Sequence, residues 1–116
     1  MHDFKSLKVW EKSMDLTVQV YKLMENMPKD ERFALTSQIK RAAVSIPSNI
    51  AEGAGRNSNA DFARFLDISN GSSNELETQL ILAKKLGFLS DDLLNLITPE
   101  LEQIQKMNYK LIKSLR

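Results

Sequence analysis

The chain has 116 residues and 13.2 kDa, with 42% hydrophobic and 27% charged side chains, a balance that fits one globular domain over residues 1–116 and excludes a disordered chain. Sixteen basic and fifteen acidic side chains leave a formal net charge of +1, so total charge selects no partner and any electrostatic site must come from local clustering. The absence of cysteine excludes disulfides and thiolate metal sites, and no stretch approaches the roughly 20 apolar residues that span a bilayer.

The N-terminus, MHDFKSLKVWEK, has no apolar run of the signal-peptide kind, and the expected location is cytoplasmic. A short arm with Asp3 or Ser6 as cap leads into a helix predicted over Leu7 to Met27, which Pro28 stops. That helix carries two apolar stripes. One is Leu7, Trp10, Met14, Val18, Tyr21 and Met24; the other is Val9, Leu16, Val20, Leu23 and Met27. Together they cover more than the roughly 100° face of a surface helix. One stripe is therefore expected in the core and the other on a second subunit, with Val9, Leu16, Val20 and Leu23 as the candidate oligomer interface. Lys8, Lys12, Asp15, Gln19 and Lys22 form the solvated side.

The second helix begins at Asp30 or at Thr36 as N-cap. Leu35, Ile39, Ala42, Ala43, Ile46 and Ile50 recur at three- and four-residue steps as a core stripe. Pro47 falls inside this pattern without a phase change, which predicts a proline-kinked helix rather than two helices. Gln38, Arg41, Ser45, Asn49 and Glu52 form a polar ridge on the other side, and Gly53 and Gly55 are expected as left-handed closing positions.

Ser58, followed by Asp61, opens a third helix expected from about Asn59 to Leu86. Phe62, Phe65, Leu66, Ser69, Leu76, Leu80 and Ala83 line its buried face. Gly71 costs about 1 kcal/mol in a helix interior, so close packing or a local irregularity is expected there. Gly87 supplies a left-handed cap with Phe88 folding back. Ser90, Asp91 and Asp92 start a fourth helix, which Pro99 bends or restarts with Thr98 as cap; Leu94, Ile97, Leu101, Ile104, Leu111 and Leu115 are its expected seam. No strand pattern or internal repeat is found, and the reading is all-α.

The segment SIPSNIAEG from Ser45 to Gly53, preceded by Gln38 and Arg41 and followed by Arg56, resembles the signature of the proteins encoded by intervening sequences in bacterial 23S rRNA genes. Leu7, Val9, Trp10, Phe65-Leu66, Gly71-Ser72, Glu75-Leu76-Glu77 and Leu86-Gly87 extend the resemblance over most of the chain. It implies an antiparallel up-down-up-down four-helix bundle that assembles into a ring, typically a homopentamer. It also implies kinship with the accessory variability protein of diversity-generating retroelements, a basic ring that works beside a reverse transcriptase.

Nothing in the sequence supports an enzyme, a metal site or a cofactor. His2 is the only histidine and lies in the arm, which removes the usual general base and denies a bundle its di-iron ligands. Glu75 and Glu77, two apart on a helix, point to different sides. Basic residues offer more. Lys106, Lys110, Lys113 and Arg116 follow the last acid, Glu102, and Arg56, Arg64, Lys84 and Lys85 extend the candidate nucleic-acid surface, which a ring would multiply. Aromatic residues fall mostly on core stripes, so base stacking is not expected. The ridge Gln38, Arg41, Ser45, Asn49 and Glu52 is a second candidate, as a hydrogen-bonded network at a subunit interface. The expectation is a non-catalytic oligomeric scaffold for RNA, DNA or a nucleic-acid enzyme. The alternative is a protein-interaction module that touches no phosphate.

Overall fold

A computed structural model describes residues 2–116, and among them every regular element is helical. Four long helices carry the fold: α1 (Lys8–Leu23), α2 (Leu35–Ala54), α3 (Asn59–Lys85) and α5 (Thr98–Leu115), with a single turn, α4 (Asp91–Leu94), between the last two. Short 3-10 turns lie at Phe4–Ser6, Met24–Asn26 and Lys29–Glu31.

Local chemistry fixes three helix ends, whereas α1, α2 and α5 start without a side-chain cap. Ser58 Oγ accepts from the Asp61 amide at 3.1 Å to start α3, and Ser90 Oγ accepts from the Leu93 amide at 3.2 Å to start α4. Gly87, at φ 81°, closes α3: its amide donates to the Lys84 carbonyl and the Phe88 amide to that of Ala83, which satisfies carbonyls left over in the last turn. Gly55 has an ordinary φ of −84° and Gly53 lies inside α2, so neither is the left-handed closer expected. Helix α1 ends at Leu23, one turn short of the expected Met27, because the chain tightens into a 3-10 turn and then extends before Pro28. Helix α2 starts at Leu35, so Thr36 is not its cap. Thr98 does not cap α5 either; its hydroxyl donates back to the Leu94 carbonyl at 3.1 Å. Pro99 sits in the first turn of α5, where its missing amide costs nothing.

Helix α1 packs on α2 and α5, α2 on α3, and α3 on α5, so the four enclose one core. Leu16, Ile39, Ile46, Ile50, Phe62, Leu66, Leu76, Leu80, Leu101 and Ile104 are fully buried within it. Burial of each such side chain contributes about 1.5–3 kcal/mol. The expected buried face of α3 is the observed one throughout. On α5 the seam shifts after Ile104: Asn108 and Ile112 are buried, whereas Leu111 and Leu115 are half-covered.

The two stripes of α1 require a correction. Val9, Leu16, Val20 and Leu23 are buried inside the single chain and belong to its core, so they are not an oligomer interface. With α2 and α5 on either side, the inner surface of α1 is wide enough to take up that whole stripe. Met14, Val18 and Tyr21, on the other stripe, are the exposed ones.

Helix α2 is continuous through Pro47. A proline there removes the amide that would bond the Ala43 carbonyl. Thr17 Oγ1 on α1 lies 3.2 Å from that carbonyl oxygen and 2.7 Å from the carbonyl of Ser13, and donates between them. Further along, α2 and α3 approach so closely that a Cβ on Gly53 would lie 2.7 Å from Phe65 Cβ and 3.0 Å from Phe62 Cδ1. Gly71, in contrast, faces open space, so close packing within the chain is not the reason for it.

Candidate nucleic-acid interface

The basic residues singled out in the sequence separate into three groups. Lys106, Lys110 and Lys113 lie exposed along the C-terminal half of α5, beyond its last acid, and no carboxylate among the described residues lies within ion-pair distance of them. Lys110 shares a shallow cavity of about 430 Å³ with Lys8 at the start of α1; Leu7, Val9, Met107, Leu111 and Ser114 complete it. Lys8 thus joins the surface from a helix whose polar side had suggested only solvation.

Arg56, Arg64 and Arg116 form the second group, at the same end of the molecule but neutralised. Arg116 pairs with Asp67 at 2.8 Å, Arg64 with Asp61 at 3.0 Å, and Arg56 with Glu52 at 2.8 Å. The guanidiniums of Arg56 and Arg64 lie 4.7 and 4.5 Å from the centroid of the Phe65 ring, so this buried aromatic holds both. Lys84 and Lys85 are the third group. Twenty residues of helix at about 1.5 Å each put Lys84 about 30 Å from Arg64, at the opposite end of α3, where Lys84 pairs with Asp91 at 2.8 Å. They therefore do not extend the α5 surface.

The polar ridge of α2 is likewise divided. Ser45 Oγ lies 2.8 Å from Ser72 Oγ on α3, and Asn49 Nδ2 donates to Ser45 Oγ at 2.9 Å and to its carbonyl at 2.8 Å. Glu52 turns to Arg56 instead. Gln38 and Arg41 are exposed. The ridge is a half-buried α2–α3 clasp at its centre with separate groups at its ends.

Sequence reasoning missed the polar depression between α3 and α5. Asn70, Asn74, Glu102, Gln105, Lys106 and Tyr109 line a cavity of about 380 Å³. Tyr109 is 61% exposed and Lys113 Nζ lies 5.4 Å from its ring centroid. Beneath it, the fully buried Asn108 donates from Nδ2 to Asn70 Oδ1 and to Ser69 Oγ, both at 3.1 Å, and Ser69 Oγ donates onward to the Ile46 carbonyl at 3.0 Å. This chain of bonds ties α5 to α3 and α2. The signal was present in the spacing, since Tyr109 stands one residue past the buried Asn108 and cannot share its face.

Among the described residues no group of His, Asp or Glu is placed to hold a metal ion, and no helix is long and apolar enough to cross a membrane.

No curated protein matches the chain. A solved structure, that of a protein with unknown function from the S23 ribosomal protein family of Bacteroides thetaiotaomicron VPI-5482, is similar to it at 28% identity. The match has a TM-score of 0.83 and covers 90% of this chain and 98% of that one. The model of the 23S rRNA-intervening sequence protein family matches residues 5–110. On that match over most of its length, the chain belongs to the 23S rRNA-intervening sequence protein family.

Proposed function

We propose that this protein is a non-catalytic homo-oligomeric scaffold that binds nucleic acid through the basic surface of α5, working in the cytoplasm as a ring of up-down-up-down bundles, five to a ring. The observation that carries the reading is the row Lys106, Lys110 and Lys113, joined by Lys8 and left without carboxylate partners among the described residues. Surface lysines of this kind release counterions when they meet phosphates, and a ring repeats the row on every subunit, so that weak single contacts multiply. Kinship with the accessory variability protein of diversity-generating retroelements belongs to the same proposal and points to a nucleic-acid enzyme as a further partner.

Ring closure needs two different faces on each subunit, because a heterologous contact repeats around an axis. Met14, Val18 and Tyr21 of α1 with Val44 of α2 offer one such face, and Ile68, Gly71 and Leu82 of α3 offer another. A glycine open to solvent in mid-helix, at a cost of about 1 kcal/mol, suits a face where a second backbone comes close.

Filter binding of structured RNA and of DNA across a salt series tests the function. Micromolar affinity at low salt that falls as salt rises is expected, and affinity no tighter than millimolar overturns it. A second reading, a module that recruits a polypeptide, is favoured by Phe33 and Leu96, which are 87% and 65% exposed, and by the cavity of about 460 Å³ that Leu96 lines with Leu23, Leu93 and Ile97. Pull-down after nuclease treatment separates the two.

A further inference from the structure

We infer that the depression between α3 and α5 is a docking site for one unstacked base of a single-stranded nucleic acid, with Tyr109 as its stacking platform. The inference deepens the proposed function and rests on it.

Tyr109 presents an aromatic ring that the core does not use: it is 61% exposed, lies off the buried seam of α5, and has Lys113 Nζ 5.4 Å from its centroid. Its neighbours have the chemistry of base recognition. The carbonyl oxygen of the Asn70 amide is already engaged by Asn108, which leaves the Asn70 NH2 group as a donor toward the cavity it lines. Gln105 Nε2 approaches Asn74 Oδ1 and Glu77 Oε1 at 3.5 Å each, which leaves the Gln105 oxygen as an acceptor. Glu102 adds carboxylate oxygens on the rim, which accept from exocyclic amines such as that of cytosine and repel phosphate. Donors and acceptors side by side match the Watson–Crick edge of a base, and a base can offer that edge and its stacking face only when it is out of its duplex. The cations stand outside this polar floor. Lys106 lines the cavity, Lys113 reaches over the Tyr109 ring, and Lys110 lies one helical turn from Lys106, where a strand's phosphates on either side of the docked base would run. Asn108 is the positioning residue: fully buried, it fixes the Asn70 amide from below.

RNA and DNA present the same stacking chemistry, so both enter the test as separate arms. Fluorescence anisotropy is measured at low salt with labelled twelve-residue single strands of each and with a hairpin duplex, on the wild-type protein, Tyr109→Ala and Tyr109→Phe. A second set of strands carries 2-aminopurine, whose emission is quenched by stacking. The expected result is tighter binding of single strands than of duplex, with affinity on the order of tenfold weaker in Tyr109→Ala and unchanged in Tyr109→Phe. Quenching of 2-aminopurine by wild type and not by Tyr109→Ala is expected in at least one arm, and the arm that shows it names the ligand. If wild type binds strands but Tyr109→Ala binds and quenches equally well, the docking site is wrong and the basic surface stands. If wild type binds no strand or duplex, both readings fall. Circular dichroism of Tyr109→Ala confirms the fold, which an exposed side chain does not support.

Discussion

Thr17 on α1 shares its hydroxyl between the Ser13 carbonyl of its own helix at 2.7 Å and, at 3.2 Å, the Ala43 carbonyl of α2, the acceptor that Pro47 deprives of its backbone partner. The proline's cost is thus met in part from a neighbouring helix. Replacing Thr17 with Val keeps the shape but orphans the carbonyl, and a destabilisation of about 1–2 kcal/mol is expected. In a Pro47→Ala background the backbone amide returns and Thr17→Val costs less. Urea unfolding of the four proteins gives the coupling, and equal costs in both backgrounds would show that the hydroxyl is not serving this carbonyl.

Gly53 and Gly71 respond in opposite directions to the same change. A methyl group on Gly53 meets Phe65 Cβ at 2.7 Å and the Phe62 carbonyl oxygen at 3.2 Å, and neither belongs to a flexible side-chain tip. Gly53→Ala is expected to lose about 2 kcal/mol or more as α2 and α3 are forced apart. Gly71→Ala meets nothing within the chain and gains about 1 kcal/mol of helix propensity. Thermal unfolding of the two variants under dilute conditions should move the midpoint down for the first and up for the second.

These contrasts bear on how much of the molecule was legible in its sequence. Helix ends set by a local cap were: Ser58, Ser90 and Gly87 stand where their side chains or φ require. The buried face of α3 was as well, because one stripe dominates it. For α1, periodicity supplied two stripes of similar apolar content, and Ser13, fully buried on the core side, interrupted the stripe that turned out to be inside. Only packing against both α2 and α5 decides between them. The candidate site was legible as a row of lysines. Which cations remain free was not, because Asp61, Asp67 and Asp91 reach Arg64, Arg116 and Lys84 through contacts no period encodes for the last two pairs.

The corrected inner stripe gives a test that separates folding from assembly. Leu16 is buried in the core of the single chain, and Leu16→Ala is expected to cost about 2–5 kcal/mol of stability. Val18, 54% exposed two residues later, tolerates Asp with a change within about 0.5 kcal/mol in the isolated subunit. If the outer stripe seals a ring, Val18→Asp and Tyr21→Asp lower the mass in solution while leaving the helical content intact. An unchanged mass in both would place the subunit contact elsewhere or remove it.

Salt dependence distinguishes free cations from paired ones. Each lysine that contacts a single-strand phosphate adds about 0.7 to the slope of log K against log salt. Lys110→Gln and Lys113→Gln are therefore each expected to weaken binding at low salt and to flatten the slope by about that amount per subunit engaged. Lys84 is held by Asp91 at 2.8 Å at the far end of α3, so Lys84→Gln should leave both affinity and slope unchanged. Arg116→Gln is the informative intermediate. Its partner Asp67 is freed by the change, and that carboxylate stands at the C-terminal end of α5, the half of the helix that carries the lysines. Removal of the cation and exposure of the anion act in the same direction, so Arg116→Gln should weaken binding, and Asp67→Asn should strengthen it by releasing Arg116 to the phosphates. If Asp67→Asn weakens binding instead, Arg116 contributes by holding the end of α5 in place rather than by its charge.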